Sequence, residues 1–467
     1  MRLRNKCGLS LLFACLPITL LAAPLTLKVV LDSVTQFHPL VAVSLIDLRQ
    51  SQNRLLASEG AFDPIVKAKL DTTQTYYDTT YSDIWVEQPM EFMGTRLIAG
   101  YRRGVGDFPV YDGGFKTNSD GEFRAGFQLP LLRNNATDLR RTELEKSRAF
   151  VTASELQYDF TLQEFLRMAS LTYWDWISDG VKLTVIYQLL TLAEDRDSGL
   201  RFRVSKGDLP EFERQDNLRT ILLRKGQKLS FQRNFQRSSY LLSLFYRDNQ
   251  GNPIVPSADS VPPALLKQVT QQLKLDRVET YLANALKTRK DLLRLSELKR
   301  QLQLDFAFSQ NQLLPQLDFT LFGSKDSGGP TSKMNDPQIK AALNFELPIF
   351  YRTGEGRNLF AQAAVEKIEL QERFLRDRIQ ADLLNAHMSL QNAIDRTQLA
   401  QQETELAFKL KEAEAFRFTH GDSSILILNL REQAYADAMI KEIEAQADAQ
   451  KMKTELHFIQ GQDLRSL

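Results

Sequence analysis

The sequence predicts a mixed α and β chain built as a tandem structural repeat, with four membrane-length strands and two very long helical hairpins. Three observations predict it. The stretch FELPIF at 345–350 has a near copy, FQLPLL, at 127–132. Helix breakers vanish over spans far longer than a globular helix needs. The turns that interrupt those spans, FRVSKGD at 202–208 and FRFTHGD at 416–422, also match each other.

The helices follow from the breakers. No proline occurs after Pro348, and Gly421 is the only glycine between Arg357 and Gln460, so helices are expected over about 357–415 and 425–458. Leu383 and Leu390, then Leu399 and Leu406, recur at sevens with charges such as Glu403, Lys409 and Glu412 between them, the pattern of a coiled-coil-like seam with one wet face. Between Leu131 and Leu209 proline is again missing, and helices are expected over about 134–201 and 213–245. Gly207 and Gly421 suit the left-handed residue that closes a helix, and Asp208 and Asp422 suit the cap that opens the next. From Pro130 to Gly207 is 77 residues and from Pro348 to Gly421 is 73, so the repeat is nearly in register.

Strands precede each long helix. In EFRAGFQLPLL, Phe123, Ala125, Phe127, Leu129 and Leu131 alternate with Glu122, Arg124 and Gln128. In IKAALNFELPIF, Ile339, Ala341, Leu343, Phe345 and Leu347 alternate with Lys340, Asn344 and Glu346. Period two with one apolar and one polar face marks a half-buried strand. DPIVKAKLDTTQTYY from 63 and PQLDFTLFG from 315 are expected to pair with these, and the stretches Tyr81–Thr117 and GSKDSGGPTSKMNDP read as polar, glycine-rich connections. Each proline at 130 and 348 then marks a junction from strand to long helix.

Composition narrows the setting. The 467-residue chain carries a net charge of +1, which implies no bulk attraction to nucleic acid. Arg2, Arg4 and Lys6 precede an apolar run ending LLAAP, so 1–22 reads as a secretory signal peptide, with lipidation of Cys15 as the rival. Both cysteines lie in that segment, so the mature chain offers no disulfide or thiolate metal site. The expected organisation is a first repeat over 23–245, an irregular linker over 246–278 and a second repeat over 279–467. No later stretch is long and apolar enough to form a membrane-spanning helix.

Four strands of about ten residues have the length a membrane-crossing strand requires. In lipid such a sheet would leave two unpaired edges, so closure must come from other copies of the chain. Two copies would give a filled barrel and three one that begins to leave a bore, and a trimer is the expectation. Phe123, Phe127, Leu343 and Phe345 would then face lipid, and Arg124, Gln128, Lys340, Asn344 and Glu346 the lumen. A soluble sheet packed on helices is the competing reading. Tyr76, Tyr77, Tyr81 and Trp85 are compatible with an interfacial aromatic belt or with cross-strand packing.

In order and spacing the chain resembles the TolC-like outer-membrane efflux proteins over essentially all of its mature length. The resemblance rests on LTLKVVLDSVTQFHPLVAV, SQNQLLPQLDFTLFG, both strand–proline–helix junctions, the turn FRFTHGDSSILILNLREQAYADA and the linker DNQGNPIVPSADSVPP. It implies a trimeric β-barrel in the outer membrane, continued by a long α-helical barrel through the periplasm. Helix tips around Gly207, Asp208, Gly421, Asp422 and Ser423 would meet a periplasmic membrane-fusion adaptor, and an inner-membrane pump would supply the energy. Two departures stand out. Lys290 occupies the place where the first half has Pro39, and Ile427, Asn429 and Leu430 follow the second tip where several members carry acidic residues.

No chemistry is legible. His38, His387, His420 and His457 are scattered without ligand spacing, so no metal is expected. There is no phosphate-binding glycine loop and no nucleophile elbow, so neither a cofactor nor an enzyme is expected. RRGVGDFPVYDGG at 102–114 reads as an exposed loop. A periplasmic coiled-coil scaffold or adaptor is the alternative function, and the amphipathic strands argue against it.

Overall fold

A computed structural model describes residues 24–466 apart from 75, 263–264, 271–274, 276 and 330–335. The predicted signal peptide, with Cys7 and Cys15, lies outside the described residues. The chain opens with α1 (Leu27–Phe37) and α2 (Pro39–Glu59), which meet at a 42° bend on His38. Strands β1 (Ile65–Thr73), β2 (Thr79–Pro89), β3 (Arg96–Gly106) and β4 (Glu122–Pro130) follow, then the hairpin of α3 (Leu139–Ser205) and α4 (Glu211–Ser243). A connecting region with α5 (Leu265–Thr270) leads to α6 (Val278–Thr288) and α7 (Lys290–Asn311). Strands β5 (Gln316–Asp326) and β6 (Gln338–Glu346) then hand over to α8 (Arg352–Thr419) and α9 (Ile425–Ile459).

The two longest helices, α3 with 67 residues and α8 with 68, each run on the order of 100 Å. Asp138 caps α3 by accepting the Arg141 backbone N–H at 3.0 Å. The break between α6 and α7 reproduces that between α1 and α2 although Lys290 stands where Pro39 does. There Arg289 is extended, and Asp291 holds its guanidinium at 2.6 and 2.9 Å while accepting the Leu292 N–H at 2.9 Å. A hydrogen-bonded carboxylate does the work of proline at this position.

The main core lies midway along the helices. Tyr173, Trp176 and Ile177 of α3 pack with Val30, Leu31 and Val34 of α1, Phe235 and Leu242 of α4, and Ala436 and Ile443 of α9. Two polar atoms in it are satisfied, with the Tyr173 hydroxyl donating to the Leu25 carbonyl at 2.9 Å and the Trp176 indole to Ser239 Oγ at 3.2 Å. Of the expected leucine seam, Leu383 and Leu390 are buried, whereas Leu399 and Leu406 are exposed. They share an outer stripe of α8 with Leu370, Phe374 and Met388, opposite the seam.

His38 is buried at the α1–α2 bend, with its ring 4.3 Å from Phe165 and 5.9 Å from Phe245. Burial, then the charge of Arg247, lowers its pKa to about 4, so the folded chain holds it neutral. The unfolded chain takes up a proton near pH 6.5, so the stability this histidine contributes is present above that pH. It is lost as pH falls from 6.5 toward 4. His38→Gln is expected to remove this segment of the pH dependence, on the order of 1–2 kcal/mol by pH 5, as read by thermal unfolding at pH 7.5 and 5.

Sheet topology corrects the strand count. The sheet has six strands in the order β1-β2-β3-β4-β5-β6, all antiparallel, where four were expected. The extra hairpin, β2 and β3, comes from the stretch read as a connection. Its alternation is masked because Tyr81 and Trp85 stand on the polar face and Gly100 and Gly104 interrupt the pattern. Glycine dilutes the period, yet here it allows an aromatic ring to lie across the neighbouring strand.

Candidate functional site

The candidate site is the sheet together with the two helix turns. Register sets the faces. One rung, Val66–Val86–Ala99–Ala125–Gly323–Ile339, crosses all six strands on one side. On the other side, Lys69–Asp83–Arg102–Glu122–Asp326 runs across five. The first face carries Phe123, Phe127, Leu343 and Phe345, and the second Arg124, Gln128, Lys340, Asn344 and Glu346.

Burial is inverted relative to a soluble sheet. Phe123, Leu343 and Phe345 are 64–65% exposed, while Asp83, Glu122, Asp318 and Asp326 are 5–8% exposed. The apolar side faces out and the charges are gathered on the sheltered side. A soluble core would bury the apolar face instead.

The sheltered charges are paired. Lys67 meets Glu87 at 2.8 Å, and the Trp85 indole donates to Glu87 at 2.9 Å. Asp83 accepts from Tyr81 at 2.9 Å and from Arg124 at 2.6 Å, and Arg102 pairs with Glu122. Gln128 links Arg96 at 2.9 Å to Asp318 at 3.0 Å, and the Asn118 backbone N–H donates to Asp326 at 3.1 Å. On the edge strand, Glu346 lies 3.9 Å from Arg133, and Lys340 and Asn344 are exposed. This mixed-sign belt was missed in sequence because half of its residues come from the hidden hairpin.

Aromatic rings fill the gaps on the same face. Trp85 lies opposite Gly100, Tyr81 opposite Gly104, and Phe322 opposite Gly126. A Cβ at Gly100 would approach Trp85 Cβ to 2.5 Å, and one at Gly126 would approach Phe322 Cδ1 to 2.5 Å. Tyr81 and Trp85 therefore serve cross-strand packing and not a belt on the apolar side. Tyr76 and Tyr77 sit in the β1–β2 turn with ring centroids 5.0 Å apart. The stretch at 102–114 is a loop only beyond Gly106, since Arg102–Gly106 completes β3.

Both helix turns are Schellman motifs. Gly207 has φ +77° and Gly421 φ +83°. The Asp208 N–H donates to the Arg203 carbonyl at 2.9 Å and Gly207 to Val204 at 3.0 Å; Asp422 donates to Arg417 at 3.0 Å and Gly421 to Phe418 at 3.2 Å. The expected capping role of Asp208 and Asp422 is corrected, because α4 opens at Pro210 and α9 at Ser424. The two aspartates belong to the preceding helix ends through their backbone. Glu213 of the first turn instead accepts the Ile425 N–H at 2.8 Å, so one hairpin caps the other. Ser423 donates to Glu414, which lies 3.6 Å from Arg417.

Above the turns a buried charge cluster ties three helices. Arg224 of α4 donates to Glu432 of α9 at 2.8 Å and to the Leu189 carbonyl of α3 at 2.6 Å. Arg196 of α3 also pairs with Glu432 and donates to Asn429 at 3.0 Å. Among the described residues no group of three His, Cys, Asp or Glu side chains is placed to hold a metal, and no single helix is long and apolar enough to cross a membrane.

No protein-family profile and no curated protein matches the chain. Solved structures do. The chain is similar to the open state of the MtrE outer membrane channel of Neisseria gonorrhoeae, at 13% identity and a TM-score of 0.65, covering 94% of this chain and 89% of that one. It is similar to the outer membrane protein VceC of Vibrio cholerae at 12% identity and 0.63, covering 94% and 96%. It is also similar to the CmeC outer membrane channel of Campylobacter jejuni at 12% identity and 0.62, covering 93% and 85%.

Proposed function

Starting from a chain with the fold of the TolC-like outer-membrane channels, we propose that it is the outer-membrane exit duct of a tripartite efflux or secretion system. The inverted sheet carries this reading. An apolar outer face on strands of nine to eleven residues matches the thickness of a bilayer, and a charged inner face matches a water-filled bore. A periplasmic scaffold has no use for such a face.

The duct is a homotrimer. The edges β1 and β6 are exposed along their length, and an open edge in lipid is excluded by its unpaired backbone groups. The outer stripe of α8 and that of α4, with Leu222, Leu229 and Tyr240, are apolar and uncovered in the single chain. Stripes of this kind on the two sides of one chain suit packing against neighbouring copies. The long hairpins continue the barrel into the periplasm, where the turns at Gly207 and Gly421 receive a membrane-fusion adaptor. An inner-membrane pump does the energetic work, and conduction through this chain is passive, with no catalysis and no cofactor.

Cross-linking in mild detergent and outer-membrane fractionation test the assembly, and transport by the complete system tests the role. A stable inserted monomer would overturn it. At the tips, Gly421→Val meets a left-handed backbone at a cost of about 1–2 kcal/mol, too little to undo the long helical seams. Transport is expected to fall while trimer levels stay near normal. Parallel loss of trimer would make the glycine merely structural, and unchanged transport would put the docking surface elsewhere.

A further inference from the structure

We propose that the hairpin of β2 and β3 is part of the membrane wall, so that three copies close an eighteen-stranded barrel with a wide aqueous bore. The inference rests on the duct reading and goes beyond it by assigning the barrel's size and the residues that set it. The hairpin pairs with β1 over Thr79–Glu87 on one side and with β4 over Arg96–Arg102 on the other, so most of it stands at the height of the other strands. Its faces match theirs. Ile84, Val86, Leu97 and Ala99 continue the apolar side, and Asp83, Glu87, Arg96 and Arg102 continue the charged side. An extracellular extension would need neither.

The occupant of each open edge is a second copy of the same sheet. Strands β1 and β6 have nine residues each and run antiparallel, so β1 of one copy can pair with β6 of the next. An even register keeps Val66, Ala68 and Leu70 in line with Ile339, Ala341 and Leu343. The site is incomplete without this pairing, because the charged face becomes a lumen only on closure. Six strands per chain in three copies give eighteen. Barrel diameter grows about linearly with strand number, so the wall is about 1.5 times as wide as one of twelve strands. Barrels of that size leave an open aqueous channel, whereas small ones fill with side chains.

Deletion of 78–106 tests this, because β1 and β4 are antiparallel and can then pair directly. Residues 23–467 contain no cysteine, so Asn344→Cys supplies a single thiol on the charged face of β6. Maleimide-polyethylene glycols of graded size are added to intact cells, which probes the bore from outside and bypasses the periplasmic end. The full sheet is expected to admit reagents of at least about 1.5-fold larger diameter than the deletion variant. An equal cut-off in two inserted proteins would overturn the proposal. Should the deletion not assemble, Ile84→Arg decides. It is expected to lower outer-membrane trimer as much as Leu343→Arg, and tolerance at Ile84 alone would place the hairpin outside lipid and overturn it. Tolerance at both positions, or a wild-type chain outside the outer membrane, would overturn the duct reading as well.

Discussion

Glu432→Ala is expected to lower stability by about 3–5 kcal/mol, because it leaves two guanidinium groups without their shared carboxylate in the helical wall. The side chains of Arg224 and Glu432 are 1% and 3% exposed, and Arg196 closes the third side. Arg224 would keep only the Leu189 carbonyl. Glu432→Gln retains the shape but removes the charge, and its cost should be smaller than that of alanine and still well above a surface change. The measurement is thermal unfolding of the detergent-solubilised protein, with Glu403→Ala as the exposed control. Glu403 pairs with Lys441 at 2.9 Å, but both side chains are more than half exposed, so about 0–1 kcal/mol is at stake there. Equal effects at Glu432 and Glu403 would mean that the cluster is solvated in the assembly.

Leu343→Arg is expected to cost roughly 2–4 kcal/mol of barrel stability, whereas Asn344→Ala should cost little. The two residues are neighbours on β6, and only the side of the sheet differs. Leu343 lies in line with Phe319 and Leu129 on the apolar side, and Asn344 lies opposite Asp318 on the charged side. On the proposed barrel wall, an arginine on the apolar side must desolvate or snorkel, while a short side chain on the charged side would remain in water. Outer-membrane trimer yield and the temperature of trimer dissociation read the difference. Similar tolerance at 343 and 344 would mean that the faces are assigned the wrong way.

Much of the architecture was legible locally. Long spans without proline marked α3, α8 and α9, and the paired FR…GD turns located Gly207 and Gly421, because left-handed residues demand glycine in the sequence itself. The alternation at 122–130 and 338–346 assigned both faces of β4 and β6 residue by residue. The capping assignment failed for a different reason. Aspartate before a helix is a common signal, but at 208 and 422 the Schellman turn uses the backbone N–H, and α9 is capped by Glu213, 212 residues away. No local rule reaches that far.

The sequence by itself determined which segments are helix, where the two hairpins turn, and which side of β4 and β6 is apolar. Each follows from a short-range constraint, whether backbone conformation or side-chain period. Tertiary structure alone decided the number of strands, the ion-paired belt and the link between hairpins. Strand β3 needs Gly100 so that Trp85 can lie across it and Gly104 so that the Phe115 backbone can approach, and those glycines erase the period-two pattern. Arg196, Arg224 and Glu432 look like ordinary surface charges on three separate helices until packing removes water from among them. Both features arise from contacts between residues distant in the chain, and a local pattern carries no record of such a contact.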